Sequence, residues 1–377
     1  MPSTTMTNRP SKLSKKNSNR TMPQMVMMQR TTSLWKKLTK QRPAHVSSRT
    51  PLEGVALVLA DLDGVVYRGP DAIAHAVMSL NAIDSAQVAY ITNNASRTDK
   101  SVAKHLSELG LQVEPRDVVT SPQAAIGLLR GIVDPGSTIL VVGGEGLTDE
   151  LDKAGFVVTR SAEDSPAAVV QGFAPDVAWV HLAEAAFALK GGDAGIPWIA
   201  TNTDWTIPQA RGTAPGNGTL VSAVHTAVGR LPIVAGKPEV AIFEEAFTRY
   251  DSRAALMIGD RLDTDILGAN KAGIPSLLVL TGIDQAKQVL AAIPEERPTM
   301  IVDDLRGLHE PYPETVITHD GAAVVTTVGT ATVRLEAQRL TVTSAGTSID
   351  RLRAGAAAIW NSGSAIYALE VPAELYS

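Results

Sequence analysis

From residue 52 to about residue 310, short apolar runs typical of buried strands alternate with segments typical of helices. The candidate strands are 55–60, 87–92, 117–120, 138–142, 168–172, 197–201, 231–235, 254–258, 276–280 and 299–302. Helix-like segments between them include 100–110, 240–250 and 264–273. This alternation predicts an α/β fold, with a mostly parallel sheet covered by helices on both faces.

The alternation also suggests how the chain is divided. We predict a core formed by residues 51–131 and 231–311, with residues 132–230 inserted between its halves as a second α/β domain. From about residue 312 the composition shifts to Val, Thr, Ala and Gly, which predicts a small α+β appendage over 312–377. Its expected elements are antiparallel strands at 322–328, 330–336 and 338–343, a helix at 348–361 and a strand near 364–370.

The first 50 residues are basic and polar, with eleven Lys or Arg and no Asp or Glu. They lack apolar periodicity, so we expect this N-terminal extension to be disordered. Three interpretations stay open: a solvated basic tail, an acid-poor targeting peptide, and sequence translated upstream of the true start. Trp35 is its one aromatic residue, and without aromatic interleaving the segment does not favour nucleic-acid binding.

Two absences narrow the function classes. The chain has no cysteine, which excludes disulfides, thiolate metal sites and cysteine nucleophiles, and which is compatible with a cytoplasmic location. It has no apolar run of about 18 residues, so we expect no membrane-spanning helix and no membrane partner.

A pair of carboxylates, Asp61 and Asp63, follows the apolar run 55–60. In open α/β sheets, ligands bind beyond the carboxyl ends of the strands. Two neighbouring carboxylates in a buried place need compensating charge, and a hard divalent cation such as Mg²⁺ suits oxygen ligands. Taken alone, the pair could instead cap a helix or shape a turn.

Three further polar motifs follow other predicted strands. They contribute Thr92, Asn93 and Asn94 after strand 87–92, Lys237 after strand 231–235, and Asp260 and Asp265 after strand 254–258. A single parallel sheet would bring all four motifs to one edge. Carboxylates, hydroxyl and amide donors and one cation are the groups that phosphoryl transfer needs, because its catalysis depends on positioning and charge neutralisation.

The order of these motifs resembles that of the haloacid dehalogenase superfamily of phosphatases. The stretch Asp61-Leu-Asp-Gly-Val-Val-Tyr-Arg-Gly69, the loop Ala200-Thr-Asn-Thr-Asp204 and the stretch Gly259-Asp-Arg-Leu-Asp-Thr-Asp-Ile266 resemble its 4-nitrophenylphosphatase-like, or NagD-like, branch. The resemblance covers about residues 52–310. It implies a Rossmann-like core with residues 132–230 as a cap over the active site.

The resemblance also implies a role for each motif. Asp61 would be the nucleophile that forms an aspartyl-phosphate, and Asp63 would be the general acid and base. Mg²⁺ would be held by the Asp61 carboxylate, the backbone carbonyl of Asp63, and Asp260. The remaining core residues would bind the phosphoryl group (Thr92, Asn93, Asn94 and Lys237) or support the metal site from behind (Asp265).

Substrate choice is expected to lie in the cap loop, residues 201–218. Its polar or aromatic candidates are Asn202, Asp204, Trp205 and Arg211, and each could instead be satisfied within the cap. The C-terminal appendage resembles that of bacterial glycerol 3-phosphate phosphatases, so this small phosphorylated metabolite is the expected substrate. Alternatives are 2-phosphoglycolate, a nucleoside monophosphate, a sugar phosphate, or an inactive sensor of such metabolites. A homo-oligomer formed through the cap is a further hypothesis.

Overall fold

This computed structural model describes residues 49–191, 195–209 and 211–377. The predicted N-terminal extension, apart from residues 49 and 50, lies outside the described residues. Among the described residues, no helix combines the length and apolar character needed to cross a bilayer.

The strands, in chain order, are β1 (Leu57–Ala60), β2 (Tyr67–Arg68), β3 (Asp71–Ala72), β4 (Gln87–Thr92), β5 (Val118–Thr120), β6 (Thr138–Val142), β7 (Val157–Thr159), β8 (Ala168–Gln171), β9 (Trp198–Ala200), β10 (Thr206–Gln209), β11 (Gly212–Pro215), β12 (Ile233–Val234), β13 (Ala255–Gly259), β14 (Ser276–Val279), β15 (Met300–Val302), β16 (Thr315–Asp320), β17 (Ala323–Val328), β18 (Ala331–Glu336) and β19 (Arg339–Ser344). The helices are α1 (Ala76–Asn81), α2 (Asp99–Glu108), α3 (Ser121–Arg130), α4 (Glu145–Lys153), α5 (Trp179–Ala188), α6 (Asn217–Val228), α7 (Ala241–Tyr250), α8 (Leu267–Ala272), α9 (Ala286–Ala291) and α10 (Ser348–Asn361).

Two parallel sheets form the α/β part of the molecule. The main sheet has the order β15-β14-β13-β1-β4-β5, and the second sheet has the order β12-β9-β8-β6-β7. Every pairing in both sheets is parallel. The strands of the main sheet are almost entirely buried, as expected when helices cover both faces. The α/β fold class predicted from the alternation is confirmed.

The second sheet does not end where the sequence suggested. The segment 231–235 was expected in the core, but its strand β12 pairs with β9, Ile233 opposite Ile199, and so extends the second sheet. One apolar cluster also includes residues of both sheets, among them Leu57 of β1 and Val170 of β8. The strand β12 thus follows the predicted boundary near residue 230 but pairs with the second sheet, and a strand of only two residues carries no local signal of its partner. Whether the inserted region acts as a separate domain stays a prediction.

The C-terminal appendage is an antiparallel sheet, β16-β17-β18-β19, against which α10 packs. The predicted helix 348–361 is confirmed. The strand expected near 364–370 is wrong: the segment contains a short 3₁₀ turn, Ile366–Ala368, and a single bridge from Glu370 to Arg339. Its apolar residues at three-residue spacing pack against α10 and its neighbours instead of alternating along a strand. Sequence reasoning missed β16, whose six residues are all exposed.

Candidate active site

The carboxyl edge of the main sheet brings together three of the predicted residues. Asp61 directly follows β1, Thr92 ends β4, and Asp260 directly follows β13. These three strands are neighbours in the order β13-β1-β4, so their ends meet. The backbone N–H of Asp61 donates to the carbonyl of Ile258 at 2.9 Å, which fixes the start of this loop against β13.

Lys237 reaches the same place from the second sheet. The expectation that its strand belongs to the main sheet is wrong, since Lys237 follows β12, but its side chain still enters the site. Its Nζ lies 2.5 Å from Oδ1 of Asp61 and 2.7 Å from Oδ1 of Asp265. Only 3% of the Lys237 side chain is exposed, so its ammonium is almost completely shielded from solvent.

Asp265 lies on a π-helical turn, Leu262–Ile266, immediately after the Asp260 loop. Its Oδ2 accepts hydrogen bonds from the backbone N–H groups of Asp260, at 3.2 Å, and Arg261, at 3.1 Å. Its other oxygen pairs with Lys237. Asp265 therefore shapes the Asp260 loop and shares the lysine charge with Asp61.

The carboxylates form a cluster suited to a divalent cation. Asp61, Asp260 and Asp265 offer oxygens that lie within 4.8 Å of one another. The Oδ2 of Asp260 accepts from the backbone N–H of Ile283 at 2.7 Å, while its buried Oδ1 has no hydrogen-bond partner among the described residues. Three carboxylates and one ammonium leave two negative charges, which a cation such as Mg²⁺ would balance with the hard oxygen ligands it prefers. The residues fit this metal.

The pKa shifts in this cluster show that burying its charges is unfavourable. Burial raises the pKa of Asp61 well above its usual range; Lys237 opposes the shift, whereas Asp265 and Asp260 add to it. Burial and the neighbouring Asp265 raise the pKa of Asp260 to about 7. Burial alone would lower the pKa of Lys237, but the charges of Asp265 and Asp61 outweigh it and raise the pKa. Lys237 thus stays protonated, and the carboxylates of Asp61 and Asp265 share its positive charge.

Asp63 is placed differently from Asp61. Its side chain is solvent accessible and lies outside the carboxylate cluster formed by the described residues. Its pKa is raised by partial burial, against the positive charges of Lys237, Arg97 and His105. The two carboxylates of the pair therefore occupy different environments, one packed against Lys237 and one exposed to solvent.

The second motif divides its three side chains among different contacts. The buried Thr92 accepts from the backbone N–H of Asn94 through Oγ1 at 3.1 Å. Asn94 is exposed, and its Oδ1 accepts from both the backbone N–H and the hydroxyl of Ser96. Both N–H groups of the Asn93 amide are engaged, one by the carbonyl of Lys237 and one by Asp204. Phosphate binding by the Asn93 side chain stays a prediction, but this arrangement leaves it no spare donor.

The four candidates of the cap loop separate into two pairs. Asn202 and Asp204 point towards the core: Nδ2 of Asn202 donates to the carbonyl of Asn93 at 2.7 Å, and Oδ1 of Asp204 accepts from Nδ2 of Asn93 at 3.0 Å. Trp205 and Arg211 are exposed, at the start and at the turn of the hairpin β10–β11. The first pair docks the loop, and the second pair is free to meet a ligand.

Sequence reasoning missed several supporting groups. The fully buried Ser121 donates to the carbonyl of Asn93 at 2.8 Å. Gly282 lies so close to Asp260 that a Cβ there would overlap its carboxylate. The Thr281-Gly282 pair follows the end of β14 after one intervening residue, Leu280, so its place near the carboxyl edge was a usable signal. Ser121 had none, because it reads as an ordinary residue at the start of a helix.

Comparison with known proteins agrees with this geometry. The family described as haloacid dehalogenase-like hydrolase matches residues 58–157, and a related HAD-hydrolase-like family matches residues 234–308. The D-glycerol 3-phosphate phosphatase of Mycobacterium tuberculosis is 50% identical over 253 residues, which are 67% of this chain and 70% of that protein. The chain belongs to the haloacid dehalogenase-like hydrolases.

Solved structures place the chain within this family more closely. The glycerol phosphate phosphatase of Mycobacterium tuberculosis in complex with magnesium has a TM-score of 0.73 and 42% identity, covering 84% of this chain and 93% of that one. A p-nitrophenyl phosphatase from Archaeoglobus fulgidus has a TM-score of 0.62 and 25% identity, covering 67% and 98%. The resemblance to the 4-nitrophenylphosphatase-like branch of the haloacid dehalogenase-like hydrolases is confirmed.

Proposed function

We propose that this chain is a Mg²⁺-dependent phosphatase that hydrolyses glycerol 3-phosphate to glycerol and phosphate. The observation that carries this proposal is the set of Asp61, Lys237, Asp265 and Asp260 at one edge, with Asp63 separate and exposed to solvent. Such a set supplies a nucleophile, charge neutralisation and an independent proton donor, the requirements of hydrolysis through a phosphorylated enzyme.

The proposed reaction has two steps. A carboxylate oxygen of Asp61 attacks phosphorus, an acyl-phosphate bond between Asp61 and phosphorus forms, and the bond from phosphorus to the glycerol oxygen breaks while Asp63 gives that oxygen a proton. Asp63 then takes a proton from water, the water oxygen attacks phosphorus, and the Asp61–phosphorus bond breaks to release phosphate. The exposed position of Asp63 supports this role, because it must reach both the leaving alcohol and the incoming water.

The metal would be held by Asp61, Asp260 and the backbone carbonyl of Asp63, with Asp265 behind. When bound, Mg²⁺ supplies positive charge that neutralises the phosphoryl oxygens and the cluster itself. Lys237 neutralises Asp61 on its other side, and Thr92 with the backbone near Asn93 and Asn94 receives the phosphoryl group. The Oδ1 of Asp260, which has no hydrogen-bond partner in the described part of the chain, supports this assignment.

The substrate is proposed from the relatives and from the appendage. The Mycobacterium tuberculosis relative with 50% identity is named for D-glycerol 3-phosphate. The magnesium-bound structure aligns with 84% of this chain, more than residues 49–311 alone can supply, so the alignment extends into the appendage. In this proposal residues 132–230 act as the cap. Trp205 and Arg211, the exposed pair of the cap loop, contact the glycerol portion.

Two further parts of the proposal concern the setting of the enzyme. Association of copies through the cap is supported by the exposed Trp179 and Phe187 on α5, whose side chains are 76% and 56% accessible. Light scattering of the wild type and of Trp179→Asp tests it; a monomeric wild type would contradict it. We also propose a cytoplasmic location for the enzyme. Fractionation of cells that express the chain would test that location.

The test of the function is a phosphate-release screen with Mg²⁺ and with EDTA. The panel contains glycerol 3-phosphate, 2-phosphoglycolate, a nucleoside monophosphate and a sugar phosphate. We expect phosphate release with Mg²⁺ and none with EDTA. Among the four compounds, glycerol 3-phosphate should have the greatest kcat/KM. A greater kcat/KM for another compound would identify that compound as the substrate instead. Tight binding without phosphate release would indicate a sensor.

A further inference from the structure

The amide of Asn93 connects segments that are far apart in the chain. Its Oδ1 accepts from the backbone N–H of Lys237 at 2.8 Å, and its Nδ2 donates to the carbonyl of the same residue at 3.0 Å. A side chain that pairs with both backbone groups of one residue holds that residue as a neighbouring strand would. These partners also fix the orientation of the amide, because its oxygen faces a donor and its nitrogen faces acceptors.

The second N–H of Asn93 extends the network to the cap loop. It donates to Oδ1 of Asp204 at 3.0 Å, and the backbone carbonyl of Asn93 accepts from Nδ2 of Asn202 at 2.7 Å. Packing around the amide is close, since a Cβ on Gly236 would overlap its Oδ1. Asn93 thus contacts both the residue that neutralises Asp61 and the loop that is proposed to select the substrate.

We infer that Asn93 is a positioning residue, which holds Lys237 against Asp61 and couples Lys237 to the cap loop through Asp204. This inference rests on the proposed function, because it assigns Asn93 a task in that reaction other than phosphate binding. The Lys237 side chain is almost fully buried, and its ammonium contacts the carboxylates of Asp61 and Asp265. A shift of its backbone would therefore move the ammonium relative to Asp61 and weaken the neutralisation of the nucleophile. Displacement of a catalytic group by about 1 Å can cost about 100-fold in rate.

The first test compares variants of the two contacting side chains. Asn93→Ala should lower kcat on glycerol 3-phosphate by about 100-fold, with a much smaller change in KM, because the phosphoryl-binding groups remain. Asp204→Ala should lower kcat in the same direction. Asp204→Asn keeps an acceptor for the amide of Asn93 and should retain most of the wild-type kcat. Asp152→Ala, on the exposed face of α4, is the matched control and should not change kcat.

The double variant Asn93→Ala with Asp204→Ala decides between coupling and independence. If the two side chains act together, the double variant loses little more kcat than Asn93→Ala alone. A wild-type kcat for Asp204→Ala would overturn the inference, and so would two measurable single losses that multiply in the double variant, because independent side chains give multiplicative losses. Should Asn93→Ala fail to fold, the comparison of Asp204→Ala with Asp204→Asn carries the test: equal kcat values in these two would overturn it.

Failure of the proposed function would look different. In that case the wild type itself releases no phosphate from any compound of the panel. The contact between Asn93 and Asp204 is then tested by urea unfolding of the wild type, Asn93→Ala, Asp204→Ala and the double variant, in which coupled side chains give non-additive shifts of the midpoint. Additive shifts, with no phosphate release, would reject both proposals; non-additive shifts would reject the function alone.

Discussion

The ammonium nitrogen of Lys237 lies 2.5 Å from Oδ1 of Asp61, although the two residues follow strands of different sheets. The same nitrogen lies 2.7 Å from Asp265, so one buried cation serves two buried carboxylates. This sharing links the second sheet to the main sheet at the proposed site of catalysis. It also makes the stability of the site depend on a single side chain.

Lys237→Met tests that dependence. The substitution keeps the length of the side chain but leaves Asp61 and Asp265 without compensation, and removing one partner of a buried pair costs about 3–5 kcal/mol. We expect a loss of this size in the free energy of unfolding measured by urea without metal, and partial recovery with Mg²⁺. The control is Lys271→Met, which breaks an exposed pair with Glu239 and should cost at most about 1 kcal/mol. Equal losses in the two variants would contradict the account.

Gly282→Ala tests the space around Asp260. A Cβ on Gly282 would overlap the Asp260 carboxylate, and the backbone there is not in the left-handed region, so the effect is steric. We expect the Mg²⁺ concentration for half-maximal phosphate release to rise by roughly 10- to 100-fold. In Gly127→Ala, on α3, the new Cβ would lie 3.8 Å from Glu245, an ordinary contact, and the metal titration should match the wild type. A wild-type titration for Gly282→Ala as well would argue against Asp260 as a ligand.

Asp204→Asn tests the protonation of the docked cap loop. Burial raises the pKa of Asp204, against the hydrogen bond from Asn93 and the charges of Lys237 and Arg261. The folded state therefore binds this proton more tightly than the unfolded state, whose pKa is about 3.9, and the contribution of Asp204 to stability falls as pH rises through the folded pKa. The variant lacks this loss, so its Tm should exceed that of the wild type at pH 7, with the difference shrinking towards pH 4. A difference that is independent of pH would contradict the assignment.

The parts of the site that lie on neighbouring strands were predictable from sequence. Asp61, Thr92 and Asp260 each end or follow an apolar run, and parallel pairing of those runs brings their ends together. The α/β fold and the helix 348–361 follow from periodicity in the same way. These inferences need only local patterns and the general geometry of parallel sheets.

The contacts between sheets were not predictable in this way. Lys237 follows a strand of two residues, whose pairing with β9 is decided by tertiary packing rather than by local propensity. The amide of Asn93 is oriented by Lys237 and Asp204, which lie 144 and 111 residues away in the chain. The sequence identified these side chains as candidates, but only their docking shows which of them contact one another.

The role of Asp61 as nucleophile is the central claim, and Asp61→Asn tests it most directly. Phosphate release from glycerol 3-phosphate with saturating Mg²⁺ is measured for the wild type, for Asp61→Asn and for Asp152→Asn as an exposed control. We expect Asp61→Asn to remain folded, because its amide oxygen can still accept from Lys237, and to lose roughly 10³-fold or more in kcat, since the amide cannot form the acyl-phosphate bond. A kcat equal to that of the wild type in folded Asp61→Asn would contradict the account.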